Sequence, residues 1–486
     1  PDLKVLANGL LLRFPEFREL FIGVDVLSGD PRQANARGMR AASRHLAAGG
    51  ALLVFPAGTV SRLRLRGWRL RDLDWNPMIG RLALRHGATC LPLHVQARNG
   101  WGFYLSDRIH PRLRTLLLPR AMQAQRGNAI RVRVGGCIEP ARLQALGSPE
   151  RAIQYLRVSC ELLGESGDNP AAHPPVEDAG VGRPARAALT AELDRLSPWR
   201  VAQQGGLAVY CAPWEALGTP LAEQLADARE TTFRAAGEGT GQALDRDRFD
   251  PHYWHIWAWD AVAERVVGGY RVARVDTVVA AHGLGGLYSH SLFHYDHGFL
   301  QALGGAVEVG RSYVTAPYQG NPRALDLLWR GIGAYVVRQS DCHTLFGCVS
   351  ISRRYSPLAR ALLAETLLSH HTVDAALRAL VRPVAPVRPD ARPWGGELLA
   401  ALSSMAAVNK LLGSAEAGMR VPALIRHYLA LNGKFVDFSL NHGFNQALDG
   451  LIIVDLRQAP RRYLQRYLGR EGMEACLRKW SVSHAA

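Results

Sequence analysis

An α/β fold in two units is what the order of apolar runs predicts. Residues 1–164 alternate helix and strand, residues 196–486 read as an α+β unit on a mixed, largely antiparallel sheet, and residues 165–195 have the Pro-, Gly- and Asp-rich composition of a linker. A further observation places the chemistry. The run Val307-Glu308-Val309-Gly310-Arg311-Ser312-Tyr313-Val314 reads as a buried strand, yet it carries a carboxylate and a guanidinium, which are costly to bury unless they pair or react.

In the first unit, periodicity predicts a helix over 33–48, a strand over 51–55 and a helix over 76–86 capped by Asp74. Strands over 90–96 and 130–134 and a closing helix over 140–163 follow. In the second unit it predicts a strand over 207–211, an amphipathic helix over 220–235 and a hairpin of strands over 253–259 and 265–272. Then come the strand 307–314, a polar turn with a helix over 323–338, the strand 344–351, a helix over 357–369 and strands near 435–438 and 451–455. Residues 383–393 read as an exposed loop.

With 486 residues, 48% hydrophobic and 21% charged, the chain is globular and long enough for two or three domains. Its net charge of +16 is uneven: residues 1–160 hold 25 Lys and Arg against 10 Asp and Glu, and the rest hold 33 against 32. Nucleic acid, anionic lipid and an acidic carrier protein all reward such a surface. The run Arg62-Leu63-Arg64-Leu65-Arg66-Gly67-Trp68-Arg69-Leu70-Arg71 alternates guanidiniums with apolar side chains. That pattern favours an anionic membrane surface over a solvated face, and no nucleic-acid-binding motif accompanies the charge. No apolar run is long enough to span a bilayer, so peripheral attachment at the cytosolic face of the inner membrane is the expectation. The seven cysteines form no Cys-x-x-Cys and read as reduced cytosolic thiols.

Several ordered motifs carry a resemblance: Asp247-Arg248-Phe249-Asp250, Gly268-Gly269-Tyr270-Arg271-Val272, Glu308 to Ser312, Leu345-Phe346-Gly347-Cys348 and the block 421–455. Residues 200–470 resemble the GNAT-type ornithine N-acyltransferases of ornithine lipid synthesis, and are also similar to the acyl-homoserine-lactone synthases. In front, Val54-Phe55-Pro56-Ala57-Gly58-Thr59-Val60-Ser61 resembles the Phe-Pro-Glu-Gly-Thr block of the glycerolipid acyltransferases in their hemolysin-like branch. Phe21-Ile22-Gly23-Val24-Asp25 and Leu91-Pro92-Leu93-His94-Val95 stand where that family has two further blocks. Together the halves resemble the bifunctional ornithine lipid synthases. The family's His-Asp catalytic block is not found ahead of these motifs, so the front domain is expected to be truncated and inactive in O-acyl transfer. Pairs at the same spacing, His173 with Asp178 and His255 with Asp260, sit in unsuitable contexts.

The resemblance implies transfer of a 3-hydroxyacyl chain to the α-amino group of ornithine. A carboxylate must take a proton from that amine. Glu308 is the leading base, with Asp247, Asp250, Arg271 and Arg311 as a charged cluster shaping the cleft and Asp247 or Asp250 seating the ornithine ammonium. The alternative is that Glu308 and Arg311 form a structural ion pair with Arg271. The acyl arm is expected between the strands 307–314 and 344–351, against Tyr313, Val314, Thr315, Gln319, Gly320 and Arg323. Pro322 removes a donor where GNAT folds hold pyrophosphate, so an acyl carrier protein fits better than coenzyme A, with Arg353 and Arg354 also available to its acidic surface. Ser352 and Tyr355 are candidates to protonate the leaving thiolate. Pro56, Gly58, Thr59, Ser61 and Arg62 would hold an acceptor head group, or form a tight turn with no ligand. No bound cofactor is expected, and His290, His294 and His297 are not read as a metal site. The other readings are a signal synthase making a diffusible lactone and a non-catalytic membrane-binding protein.

Overall fold

The computed structural model describes residues 2–13, 15–24, 31–64, 69–97, 99–100, 102–104, 117, 120–121, 123–165, 186–387, 392–415 and 418–482. The chain divides into two compact units, residues 1–167 with 389–420, and residues 168–388 with 421–486. The expected second domain over 196–486 is therefore interrupted by an excursion into the front unit.

In the front unit, β1 (Leu3–Asn8) lies between β2 (Phe21–Val24) and β3 (Ala51–Val54) and runs parallel to both. The helices α1 (Pro31–Ala47) and α2 (Pro77–Arg85) bring Ala42 and Leu82 onto Ile22, Leu6 and Leu52. Before α2, β4 (Arg62–Arg64) and β5 (Arg69–Arg71) pair Arg62 with Arg71 and Arg64 with Arg69. Residues 65–68 of the expected basic run, and Asp25, lie outside the described residues. The side chain of Asn76 accepts from the Met78 amide at 3.0 Å, so Asn76 caps α2 in place of the expected Asp74, which pairs with Arg157. A second hairpin joins β6 (Leu93–Gln96) to β7 (Arg131–Val134).

The expected single helix over 140–163 is two, Pro140–Gln144 and α3 (Pro149–Glu165), parted at Gly147, whose φ of +79° a continuous helix cannot hold. Apolar residues at helical spacing on α3, among them Ile153, Leu156 and Leu163, are buried. The excursion belongs here: the Arg142 guanidinium donates to the Ala407 carbonyl at 2.5 Å, the Gly395 amide to Gln154 at 3.2 Å, and the Gly136 amide to the Ser414 carbonyl at 2.9 Å.

Of the expected linker, residues 166–185 lie outside the described residues, and 186–195 form the helix Arg186–Arg195, whose Leu189 and Leu193 are buried in the back unit. The back unit is built on β8 (Arg200–Gln204), β9 (Leu207–Pro213), α4 (Thr219–Ala235), β10 (Trp254–Asp260), β11 (Arg265–Arg274), β12 (Phe293–His294) and β13 (Ala306–Val314), then α5 (Pro322–Arg338), β14 (Thr344–Ile351), β15 (Arg382–Pro383), β16 (Lys434–Asn441) and β17 (Ala447–Asp455). Eight strands make one sheet in the order β16-β17-β14-β13-β11-β10-β9-β8; β13 and β14 are parallel and every other pair is antiparallel. The small pair β12 and β15 stands apart from it.

Strand alternation sorts the two faces of this sheet. Ile256 points at α5, where a Cβ on Gly331 would press on it. Trp257 and Trp259 therefore face the other way, joining Tyr210, Phe233 and Tyr313 in one apolar cluster. A second cluster on that side gathers Tyr253, Phe293, Phe299, Phe346 and Ile453. Between the two clusters the sheet carries charge.

Two irregularities shape that middle zone. Parallel pairing of β13 with β14 runs from Ala306/Thr344 to Glu308/Phe346 and stops there, although the strands continue to Val314 and Ile351. Beyond that point they part. At the fork the Val309 carbonyl lies so close to Gly347 that any Cβ there would overlap it. The second irregularity is a bulge: Arg271 faces Gly310 and Gly269 faces Tyr313, so Arg311 and Ser312 together oppose Tyr270 alone. Arg311 sits at φ +48°. On a regular strand, residues three apart point to opposite faces, and the bulge returns Arg311 to the face of Glu308 and Arg271.

Candidate active site

Three arginines and three aspartates form the wall of this middle zone. Asp247 and Asp250 come from the segment before β10, Arg271 from β11 and Arg311 from the bulge of β13, as the sequence leads one to expect. Arg229 of α4 and Asp245 complete the set and were not anticipated. The Arg229 guanidinium grips Asp250 through both oxygens at 3.1 and 2.9 Å and approaches Asp245 Oδ2 at 3.0 Å. Arg271 Nη1 donates to Asp247 Oδ1 at 2.6 Å and to Asp250 Oδ1 at 2.9 Å. Arg311 reaches Asp247 Oδ2 at 3.0 Å and Asp245 Oδ2 at 3.3 Å.

Three positive charges meet three negative ones, which is the condition for burying them together. Arg271 is 0% exposed, its guanidinium 4.9 Å from the Tyr253 ring centre and 5.2 Å from that of Tyr288. Burial acts to raise Asp250, but Arg229 and Arg271 more than offset it and hold the carboxyl far below the usual range. Asp247 is lowered in the same way, with burial opposed by Arg271 and Arg311. His255 sits behind the wall on the Asp250 carbonyl at 3.1 Å, and burial draws it down to about 4.

Glu308 is 2% exposed and does not face this wall. Its carboxylate accepts the Ser289 amide at 2.6 Å, the Tyr288 amide at 3.2 Å and the Tyr253 hydroxyl. With three donors on it, Glu308 is placed as a clasp holding residues 288–289 to the sheet. That differs from the position expected of a general base, and it differs equally from an ion pair with Arg271.

The expected acyl-donor residues divide. Tyr313 is a core residue whose hydroxyl donates to the Leu225 carbonyl at 3.3 Å, so its ring does not line the fork. Val314 pairs with Gly268, and its carbonyl accepts Gln319 Nε2 at 2.9 Å. The amide and hydroxyl of Thr315 are both spent on β11 carbonyls, which removes them from the expected contact with the acyl arm. Gly320 and Arg323 are exposed at the start of α5. Past β14, Ser352 donates its hydroxyl to the Ala236 carbonyl and Arg354 donates to the Ala235 carbonyl, while Tyr355 is half-buried.

Two further carboxyls, also unanticipated, lie across the fork. Glu238, in Gly237-Glu238-Gly239-Thr240-Gly241, lies near Ser350 of β14, and Asp449 of β17 is paired in register with Ser350. Asn441 bridges Asp449 Oδ2 at 2.7 Å to the Tyr288 hydroxyl at 3.1 Å, and Tyr288 in turn accepts from Arg311 at 3.3 Å. The signals for these residues were a lone Asp inside the apolar run Ala447–Asp455 and a Glu flanked by glycines.

His290 contacts the Tyr295 carbonyl at 3.2 Å. Among the described residues no group of three or more His, Cys, Asp or Glu side chains is placed to hold a metal ion. In the front unit Pro56 and Gly58 form a turn after β3, with the Gly58 amide on the Phe55 carbonyl at 3.0 Å. Ser61 is committed to Asp72 at 2.5 Å, while Thr59 and Arg62 are exposed.

Residues 228–330 match the family described as the acetyltransferase (GNAT) domain, and residues 1–170 match a family described as acyltransferase. The chain is 30% identical over 245 residues to the glycine N(alpha)-acyltransferase of Phocaeicola vulgatus, covering 47% of this chain and 74% of that protein. It is 29% identical over 259 residues to the glycine N(alpha)-acyltransferase of Bacteroides thetaiotaomicron, covering 49% of this chain and 76% of that protein. No solved structure matches the chain.

Proposed function

The chain belongs to the same family of GNAT-type acyltransferases as the glycine N(alpha)-acyltransferase of Phocaeicola vulgatus, and on that premise we propose that its back unit moves a 3-hydroxyacyl chain from acyl carrier protein to the α-amino group of ornithine. The observation that carries this reading is the fork between β13 and β14, which opens beside the neutralised wall of Arg229, Arg271 and Arg311. An extended thioester arm can enter between the parted strands, where unpaired backbone groups are free to bind it.

The choice of donor is supported by the turn into α5. The amides of Gln319, Asn321 and Ala324 bond to the carbonyls of Ala316, Tyr318 and Asn321, and the Arg323 amide bonds to the Asn321 side chain at 3.0 Å. Pro322 has no amide to give. A coenzyme A pyrophosphate would find these donors already used, whereas the carrier protein's phosphopantetheine presents a single phosphate. Each charged hydrogen bond forgone is worth about 1.5–3 kcal/mol. Steady-state assays should therefore show kcat/KM on the order of ten- to a hundredfold higher with acyl carrier protein thioester than with the same acyl chain on coenzyme A.

Glycine as acceptor is a second reading, favoured by a specific observation beyond the relatives' names. Asp247 and Asp250, expected to seat the ornithine ammonium, are each ion-paired with two guanidiniums and leave no free charge for it. The front unit, expected to be inactive in O-acyl transfer without the family's His-Asp block, is read as docking the chain on the cytosolic face of an anionic membrane. Its support is the basic excess over residues 1–160 and the cross-strand arginines of β4 and β5. Among the described residues no helix is long and apolar enough to cross a membrane.

Expression in cells that make no such lipids tests the whole reading by mass spectrometry of membrane extracts. N-acyl ornithine or N-acyl glycine in the membrane supports it and names the acceptor. A diffusible lactone in the medium points to a signal synthase, and no new acylated amine despite soluble protein overturns it.

A further inference from the structure

We propose that Glu238, held beside Asp449 over the open end of the fork, takes the proton from the ammonium nitrogen of the incoming acceptor. The inference rests on the amino-acid acceptor reading above and goes further by assigning the group that makes the amine nucleophilic.

The loop carrying Glu238 is fastened from three sides. Glu230 of α4 accepts the Thr240 amide at 3.0 Å, the Thr240 hydroxyl at 2.8 Å and the Gly241 amide at 3.0 Å. The Glu238 amide bonds to the Phe233 carbonyl at 2.8 Å, and Asn445 holds the Gly237 carbonyl at 2.9 Å. Gly237 and Gly239 stand at φ +79° and +101°, conformations that turn the chain sharply on either side of the one acidic residue. The result is a carboxyl driven into the interior, 6% exposed.

Its surroundings set it apart from the other buried acids. Asp245, Asp247 and Asp250 are ion-paired and Glu308 carries three donors, but among the described residues no salt bridge reaches Glu238 or Asp449. Ser350 from β14, Asp449 from β17 and Arg311 from β13 are the polar groups around Glu238. Tyr288 and the half-buried Cys348 lie near Asp449. Ser350 lies four residues past the last β13–β14 pair and Arg311 three residues past it, where the arms of the fork have parted, and Ser352 on the Ala236 carbonyl seats the Glu238 loop against the end of β14. Burial, reinforced by Asp449 and opposed by Ser350 and Arg311, pushes Glu238 up to about 8, and burial pushes Asp449 up to about 6. An acid poised near the working pH is suited to accept a proton from an ammonium.

The step balances as follows. The carboxylate of Glu238 takes one ammonium proton. The freed nitrogen lone pair bonds the thioester carbonyl carbon, the C–S bond breaks as the tetrahedral intermediate collapses, and the second nitrogen proton goes to the departing thiolate. Glu238 returns its proton to solvent.

Glu238→Gln is the test, with saturating acyl carrier protein thioester and the acceptor amino acid. The expected result is a fall in kcat of about two orders of magnitude, an unchanged KM for the acyl donor, and loss of the rise in kcat as pH passes through about 8. A less basic acceptor, such as an amino-acid ester, narrows the gap to the wild-type enzyme. Asp449→Asn is the second variant: removing its charge makes Glu238 easier to ionise and moves that rise to lower pH without abolishing it. Folding is checked by thermal melting. A carboxyl raised from 4.5 to about 8 binds its proton more tightly in the folded chain, so stability falls as pH rises across that window. Glu238→Gln should flatten this fall and melt no lower than wild type at pH 8. Unchanged kcat with an unchanged pH profile overturns the proposal, as does a raised acceptor KM at constant kcat, which would make Glu238 a seat for charge. Wild-type protein that acylates no amine sinks this inference together with the reading beneath it.

Discussion

Replacing Arg271 with alanine should lower folding stability by about 3–5 kcal/mol, because it removes one partner from a buried ion network and leaves the others behind. Arg271 is the centre of the wall: its Nη1 is shared by Asp247 and Asp250, and the side chain is fully buried. Without it, two guanidiniums face three carboxylates in a place where charge is poorly solvated. Chemical denaturation should show the loss as a lower midpoint with an unchanged slope. Arg271→Met separates volume from charge, since it fills most of the space and still removes the cation. The acid limb of stability then distinguishes the two losses. Asp247 and Asp250 have depressed pKa values in the folded chain, so their contribution is present above the unfolded value of 3.8 and is lost as pH falls toward the folded values. In Arg271→Met those folded values rise, and acid unfolding should begin at higher pH. A variant with wild-type acid stability would show that Arg229 and Arg311 hold the aspartates unaided.

Much of this wall was legible in the sequence, and the reason is energetic. Glu308 and Arg311 in an otherwise apolar strand, and Asp247 with Asp250 before the aromatic strand Trp254–Asp260, are charges in places where burial penalises them. Their spacing did not show their arrangement. Arg311 shares a face with Glu308 only because of a bulge, and a bulge is a register property of two paired strands that one strand alone does not display. Glu308 reads from sequence as a proton acceptor because its three donors lie 19, 20 and 55 positions earlier, two of them in a loop with no regular pattern. Tyr313 read as a wall of the cleft because an aromatic residue beside a charged one looks the same from sequence whether it faces core or substrate. The excursion of 389–420 into the front unit was hidden for a different reason: its helices Gly396–Ala401 and Met405–Ala415 are short, and their partner α3 lies some 250 positions away. Glu238 and Asp449 are not legible as neighbours because each is a single acid, and only the register that sets Asp449 opposite Ser350 brings the two to one end of the fork.

Glu308→Ala should cost about 2–6 kcal/mol, since it strands the buried Ser289 amide and the Tyr253 hydroxyl, each worth about 1–3 kcal/mol when left unsatisfied. The Ser289 amide has no other acceptor in reach among the described residues, the Tyr288 amide keeps the Tyr253 hydroxyl at 3.0 Å, and Tyr253 is itself buried beneath Arg271. The conservative change is more informative. Glu308→Gln keeps one oxygen for an amide but turns an NH2 group toward the donors on the other side, so it should still lose about 1–3 kcal/mol. If Glu308 were the proton acceptor, kcat would fall while the melting temperature held. As the clasp of residues 288–289 it should show the opposite order: a lower melting temperature, faster hydrogen exchange at Tyr288 and Ser289, and a fall in kcat smaller than that of Glu238→Gln. The link to turnover runs through Tyr288, which carries the Arg311 guanidinium and the Asn441 amide on its hydroxyl, so loosening that loop disturbs the wall from its edge. Equal melting temperatures with a hundredfold loss of kcat would return the proton to Glu308.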